Sequence, residues 1–221
     1  MFRKSMFKPA ILTLAITLGF VAQNRPAAAA ETEVLTVAGG CFWCVEADFE
    51  SVKGVKEAVS GFAGGRTKNP TYKQVTGSNT GHYEAVQIQF DPAVVSRDTL
   101  LNLFFRSIDP TDAGGQFCDR GESYRTAIFA GSPAQMSAAE QAKAEAQAAL
   151  GTKIVTPVLG NATFYPAENY HQDYYKSSER LAFSSVGVGV KKSVAYKRYR
   201  SGCGRDAHVK QLWGGAAPFV K

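Results

Sequence analysis

Cys41 and Cys44, three residues apart, are the pair in this chain with the clearest chemistry. A thiol reacts as its thiolate, and a helix N-terminus stabilises that anion through free N–H groups and the helix dipole. Cys41 follows Gly39-Gly40, where a strand-like apolar run gives way to apolar residues at helical spacing: Phe42, Val45, Phe49 and Val52. It is expected at the start of a helix, with Cys44 one turn on and the two sulfurs able to meet. Such a pair supplies a nucleophile and a resolving partner. Phe42 and Trp43 between them point to an apolar pocket rather than an open exchange surface, although core packing is the commoner fate of a large aromatic.

Cys118 and Cys203 complete the four cysteines. An even count also fits structural disulfides, with several possible pairings. A chain of this length does not need staples to fold, however, and a bridge across three residues removes little entropy. Zinc is disfavoured: there is no second Cys-x-x-Cys, and His82, His171 and His208 lack ligand spacing. No metal and no cofactor is expected.

The elements that must position these residues are readable from periodicity. Strands are expected over 34–38, 55–62, 83–90, 124–130 and 154–158, and helices over 41–52, 98–108 and 137–150. Residues 63–70 and 110–122 are breaker-rich loops. Within 83–90, alternation puts Glu84 on the same face as Val86, Ile88 and Phe90. From 184 onward glycines and bases show little periodicity. Alternating strands and helices predict one α/β domain of the α+β type, a mixed sheet with flanking helices and a long irregular C-terminal tail.

The first thirty residues differ. A basic start (Arg3, Lys4, Lys8) precedes an apolar run over 10–22 and Ala27-Ala28-Ala29-Ala30, the three-part pattern of a secretory signal. The run is shorter than the about 20 residues of a membrane span. Cleavage after Ala30 is expected, giving a signal peptide over 1–30 and a mature domain over 31–221, with no stable membrane insertion. Of the 25 basic residues, four (Arg3, Lys4, Lys8 and Arg25) fall in this segment with no acid. That leaves 21 against 19 acids, so the net charge drops from +6 to +2. The residual charge gives no reason to expect nucleic acid. An exported chain is expected, with the periplasm as its compartment.

Several motifs carry a family resemblance. Gly40-Cys41-Phe42-Trp43-Cys44-Val45-Glu46, Asn69-Pro70-Thr71-Tyr72, Thr80-Gly81-His82-Tyr83-Glu84-Ala85-Val86, Asp119-Arg120-Gly121-Glu122-Ser123-Tyr124-Arg125 and Phe164-Tyr165-Pro166-Ala167-Glu168-Asn169-Tyr170-His171-Gln172-Asp173-Tyr174 occur in order across 34–175. Together they resemble the peptide methionine sulfoxide reductase A family. The resemblance implies reduction of the S epimer of methionine sulfoxide, free or in proteins. It implies that Cys41 attacks the sulfoxide sulfur, Glu84 donates a proton to the oxygen, and Tyr72 and Tyr124 hydrogen-bond that oxygen. Phe42 and Trp43 would hold the methyl group, and Asp119 the substrate's polar backbone side. The residue types suit the chemistry: a carboxyl among apolar neighbours keeps its proton to higher pH, and phenols stabilise charge growing on oxygen.

Attack leaves a sulfenic acid on Cys41, which a nearby thiol converts to a disulfide. The family's signature often has glycine where this chain has Cys44. Cys44 is favoured as first resolver because no tail movement is needed. Cys203, in Ser201-Gly202-Cys203-Gly204, sits in a tail of the kind the family uses for resolving cysteines and is the rival or a second relay. Cys118 reads as a buried or bystander thiol. His82 and His171 read as structural hydrogen-bonding residues. The resemblance further implies a thioredoxin-like reductant, and a monomer is expected. A thioredoxin-like disulfide oxidoreductase would use the same cysteine pair, but the separate Tyr72, Glu84 and Tyr124 motifs argue against it. A non-enzymatic exported domain with structural cysteines is the third possibility.

Overall fold

The computed structural model describes residues 1–2, 32–77, 79–184 and 187–220. Apart from Met1 and Phe2, the expected signal segment lies outside the described residues.

Strands β1 (Glu33–Gly39), β2 (Val55–Ala63) and β3 (Tyr83–Phe90) form the middle of a six-stranded sheet. β6 (Thr126–Phe129), β7 (Val158–Leu159) and β8 (Tyr165–Pro166) complete it, in the order β7-β6-β1-β3-β2-β8. Every neighbouring pair is antiparallel except β6 and β7. Two short hairpins lie outside it, β4 (Gly115–Gln116) with β5 (Asp119–Arg120), and β9 (Phe183–Ser184) with β10 (Gly187–Val188).

One face of the sheet is covered by α1 (Phe42–Glu50), α3 (Arg97–Arg106), α4 (Pro133–Leu150) and α6 (Arg205–Trp213). Their buried Phe42, Val45, Phe49, Leu101, Phe104, Phe105, Ala142 and Trp213 pack with Leu35, Val37, Val86, Ile88 and Phe90. The opposite face holds a smaller cluster of Ala38, Ala63, Tyr83, Ala85, Ala127 and Phe129, roofed by Leu159, Ala162 and Phe164. Alternation along β3 therefore sends Glu84, Val86, Ile88 and Phe90 toward the helices, as expected. Among the described residues no helix is long and apolar enough to cross a membrane.

Three elements depart from expectation for local reasons. Helix α2 (Tyr72–Thr76) was not anticipated because five residues carry no periodicity, yet Thr71 and Gln74 cap it reciprocally. Helix α4 starts at Pro133, with the Ser132 hydroxyl accepting from the Gln135 N–H, rather than at 137. The strand expected over 154–158 shrinks to β7, because Pro157 has no N–H to pair.

The C-terminal tail is the main correction. It is not irregular: α5 (Lys192–Gly202) and α6 fill it. Each helix buries only a few side chains among exposed charges. Ala195 and Tyr196 of α5 pack beside the cysteines, and Val209 and Trp213 of α6 enter the main core. The Trp213 indole also donates to the Ile108 carbonyl at 3.1 Å. Tertiary burial holds these helices where local pattern is weak.

Gly61 shows how closely β2 and β8 approach. A Cβ there would lie 2.4 Å from the Tyr165 carbonyl oxygen and 2.4 Å from the Phe164 ring. Gly61→Ala is expected to lower stability by about 1–3 kcal/mol, as overpacking does, and to loosen β8. Urea unfolding and amide exchange of Tyr165 and Ala167 check both.

Candidate active site

Cys41 caps α1, and its carbonyl accepts from Cys44 N–H at 3.1 Å and Val45 N–H at 3.4 Å. The turn before it requires glycine: Gly40 has φ +80°, and a Cβ there would meet Gln116 Cβ at 2.6 Å. Gln116 is itself buried. Its amide accepts from Asp109 N–H at 2.9 Å and donates to the Asp109 carbonyl at 2.8 Å, pinning the 109–116 loop beneath the cysteine turn.

Glu84 stands at the N-terminal end of β3, 1% exposed, opposite Phe62 of β2. Its Oε2 accepts the Phe42 N–H at 3.0 Å, so a sheet carboxyl meets the first turn of α1. Burial pushes its pKa up to about 8, against the opposing effect of that hydrogen bond. Glu84 therefore holds its proton at neutral pH.

Tyr72 opens α2, and Tyr124 closes a short 3-10 turn before β6. The two hydroxyls lie close enough to influence each other's titration, and both residues are half-buried near Glu84. Burial raises Tyr72 to about 12 and lifts Tyr124 further, so both remain neutral donors.

Phe42 is fully buried, with ring centroids 6.0 Å from Phe62, 6.1 Å from Tyr72 and 5.1 Å from His171. Trp43 is partly exposed and stacks on Tyr174 at 3.9 Å. Phe42 thus forms the floor of an aromatic enclosure, and Trp43 with Tyr174 one wall. His171 belongs to the same enclosure, 4.4 Å from Tyr72, and neither ring nitrogen has a hydrogen-bond partner. The expected hydrogen-bonding role of His171 is therefore corrected. Burial lowers its pKa to about 4, so it packs as a neutral ring. His82 does anchor a loop: Nδ1 accepts from Gly65 N–H at 3.1 Å, and Nε2 lies 2.8 Å from the Thr67 carbonyl.

The loop bearing His171 and Tyr174 is tied down by polar side chains. Gln172 pairs both ways with the Ser60 backbone at 2.9 Å, and the Glu168 carboxylate accepts Tyr72 N–H at 3.1 Å. Glu46 of α1 accepts from Asp173 N–H at 2.5 Å and from the Ser60 hydroxyl.

Asp119 reaches the site from β5, where the Tyr199 hydroxyl of α5 donates to it. The same hydroxyl lies within hydrogen-bonding reach of Cys41. Sequence reasoning missed Tyr199 and Tyr174. Tyr199 sits on a helix whose pattern was unreadable, and Tyr174 was noted only as part of a motif.

Cys41 and Cys44 are both free thiols, 6% and 2% exposed, in one cluster with Tyr174, Ala195 and Tyr196. They titrate as a pair. Burial, then the hydrogen bond with Cys44, pushes Cys41 up, which outweighs the helix start expected to lower it. The Cys41 hydrogen bond holds Cys44 below the ordinary thiol value, with help from Arg205 and Arg200.

Cys118 is not a bystander thiol: it forms a disulfide with Cys203. The β4–β5 hairpin sets Cys118 against the turn between α5 and α6, with Cα atoms 5.0 Å apart across 85 residues of sequence. In this state Cys203 is engaged with Cys118 and not with Cys41.

This is the arrangement of a thiol-dependent oxidoreductase acting on a small polar group in an apolar enclosure. The profile of the family "Peptide methionine sulfoxide reductase" matches residues 33–202. The chain is 46% identical to peptide methionine sulfoxide reductase MsrA 2 of Caulobacter vibrioides, over 93% of this chain and 98% of that one. It is 48% identical to the protein of that name from Rhizobium meliloti, over 87% and 89%. Among solved structures, reduced Mxr1 from Saccharomyces cerevisiae superposes with a TM-score of 0.62 at 33% identity, covering 66% of this chain and 84% of that one. The chain belongs to the peptide methionine sulfoxide reductase family, a family of oxidoreductases.

The disulfide assignment has a direct check. Alkylation of the unreduced protein in denaturant followed by mass mapping should label Cys41 and Cys44 and leave Cys118 and Cys203 joined. Cys118→Ser with Cys203→Ser should lower stability by about 2–4 kcal/mol, the usual contribution of such a cross-link. Unchanged urea unfolding would argue that the bridge is absent in solution.

Proposed function

We propose that this chain reduces the S epimer of methionine sulfoxide, free and in oxidised proteins, using Cys41 as nucleophile and a thioredoxin-like protein as reductant. The observation that carries this reading is the buried, proton-holding Glu84 fixed against the N-terminus of the helix that begins at Cys41.

In the proposed sequence the sulfoxide methyl group enters the aromatic enclosure and the oxygen faces Glu84, Tyr72 and Tyr124. Glu84 passes its proton to the oxygen as the Cys41 sulfur attacks the sulfoxide sulfur, and it recovers a proton from the Cys41 thiol. No net charge is created in a buried site, which suits a thiol that burial holds protonated. The phenols donate to the oxygen as negative charge grows there. Asp119, oriented by Tyr199, faces the polar backbone of the substrate. The sulfoxide is reduced to methionine, and Cys41 becomes a sulfenic acid carrying the transferred oxygen.

Cys44 then displaces that oxygen as water, forming a Cys41–Cys44 disulfide that the external dithiol reduces. The shared burial of the two free thiols supports Cys44 over Cys203, which is bridged elsewhere. Export to a periplasm, removal of 1–30, repair of exported proteins and a monomeric state belong to the same proposal. Of these, export and removal of 1–30 are supported by the basic, apolar and small-residue pattern of the first thirty residues.

The test is reduction of both sulfoxide epimers with dithiothreitol as reductant. Wild type should reduce the S epimer alone, and Cys41→Ser should abolish turnover. Glu84→Gln should slow it by about 100- to 10,000-fold, the range for loss of a general acid. Because the folded pKa of Glu84 is raised, the active protonated form prevails below it, and turnover should fall as pH rises through about 8. Inactivity on sulfoxide with reduction of insulin disulfides would overturn the reading. After one oxidised turnover, mass mapping should find Cys41 joined to Cys44. A Cys41–Cys203 bond with Cys44 free would reject Cys44 as first resolver.

A further inference from the structure

Two arginines, one buried and one half-buried, meet the helix face that carries Cys44, and the reaction described so far uses neither. Arg205, the first residue of α6, is 2% exposed. It donates to the Gly39 carbonyl at 3.2 Å and the Ser107 carbonyl at 3.0 Å. Its Nε lies 3.9 Å from Asp48 Oδ2, and neither of those two buried atoms has a hydrogen-bond partner. Arg200 of α5 is more exposed but more fully paired. It pairs with Asp48 Oδ1 at 2.7 Å and with Asp206 Oδ1 at 2.6 Å, and donates to the Tyr196 hydroxyl at 3.0 Å.

Asp48 lies four residues beyond Cys44 on α1, so thiol and carboxylate share one helix face, and both arginines meet that face. A guanidinium stays charged when buried, and burying it without a matching anion is unfavourable. Arg205 has two neutral carbonyls and one carboxylate oxygen held out of hydrogen-bonding range. A thiolate on the same face would add an anion to a guanidinium whose only carboxylate partner is distant and shared with Arg200.

We propose that Arg205, assisted by Arg200, is a positioning residue that holds Cys44 as a thiolate, ready to capture the sulfenic acid on Cys41. This rests on the reading that Cys44 resolves Cys41. The groups facing Cys44 are Cys41 and Asp48 on α1, Glu84 on β3, Tyr196, Tyr199 and Arg200 on α5, and Arg205 on α6. The Cys41 hydrogen bond and the two arginines favour the anion, while burial and Asp48 oppose it. The tyrosines stay neutral, and Glu84 has regained its proton before this step.

In that step the Cys44 sulfur attacks the Cys41 sulfur, the S–S bond forms and the S–O bond breaks. Hydroxide leaves and takes up the proton that Cys44 had released, so one sulfenic acid and one thiol give one disulfide and one water. The Cys41 sulfur is reduced by one electron and the Cys44 sulfur oxidised by one. A thiolate already in place shortens the life of the sulfenic acid and protects it from further oxidation.

The experiment is a rapid-quench single turnover of the full chain with a free S-sulfoxide substrate and no reductant, from pH 6 to 9. It follows methionine formation and Cys41–Cys44 disulfide formation separately, with a sulfenic acid trap reporting the intermediate. In Arg205→Gln the ratio of the disulfide rate to the methionine rate should fall about tenfold at neutral pH, the effect of raising the thiol's midpoint by about one pH unit. The midpoint of the disulfide step should move up, trapped sulfenic acid should rise, and Arg205→Lys should restore most of the ratio. An unchanged ratio and midpoint would overturn the proposal, as would a Lys variant no better than Gln. Should Arg205→Gln not fold, Asp48→Asn serves, since it removes the opposing carboxylate. Its disulfide midpoint should move down, and an unmoved midpoint would overturn the proposal. Failure of the underlying reading is distinguishable: wild type would form no methionine, or its disulfide would not join Cys41 to Cys44.

Discussion

The hydrogen bond from Phe42 N–H to Glu84 Oε2, 3.0 Å long and wholly buried, joins the sheet to the helix that begins at Cys41, the proposed nucleophile. Either partner alone would be costly. An unpaired N–H at a buried helix start and an unpaired carboxyl on a core-facing strand position are each unfavourable by about 1–3 kcal/mol. Paired, they satisfy each other and fix the height of α1 above β3. The bond also engages one carboxyl oxygen, leaving the other for proton transfer. Burial keeps the proton on despite the N–H, so the same contact that orders the fold also orients the proposed acid.

The surroundings of this bond follow from it. The carboxyl can be surrounded by aromatic rings only if no other charge must be solvated nearby. The enclosure comes close to that condition: His171, Tyr72 and Tyr124 are neutral, Phe42 and Phe62 are apolar, and the one nearby carboxyl, Asp119, is raised by burial and held by the Tyr199 hydroxyl. The charged side chains Asp48, Arg200 and Arg205 are gathered on another side of α1, around Cys44. One short helix thus separates two electrostatic settings. Cys41 meets an apolar, proton-holding side, and Cys44 a cationic one.

How much of this is legible in the sequence depends on the range of the signal. Cys41 at a helix start and Glu84 on the helix-facing side of a strand follow from spacings of two to four residues, and the sheet's main strands follow from alternation. The aromatic enclosure was only partly legible: Phe42 and Trp43 adjoin the nucleophile, but His171 and Tyr174 come from a loop whose packing no periodicity reports. The Cys118–Cys203 bridge joins positions 85 residues apart through a two-residue hairpin and an interhelical turn, and local pattern encodes neither partner's approach. Helices α5 and α6 were hidden because their exposed positions are basic and their buried ones few, so amphipathicity is faint while tertiary contact is decisive.

That hidden segment gives Cys44 its setting. Tyr199, Arg200, Cys203 and Arg205 fall within seven consecutive residues, and each engages a different part of the site: Asp119 and Cys41, Asp48, Cys118, and the carbonyls beneath the cysteine turn. A tail that had to swing in to resolve Cys41 could not also hold these contacts. By anchoring the segment to the hairpin, the Cys118–Cys203 bridge favours a resolving thiol already present on α1 over one delivered by movement. Replacement of the signature's usual glycine by Cys44 and the ordering of the tail are then two sides of one solution, in which the arginines that a mobile tail would leave in solvent are instead held against the helix that carries the second cysteine.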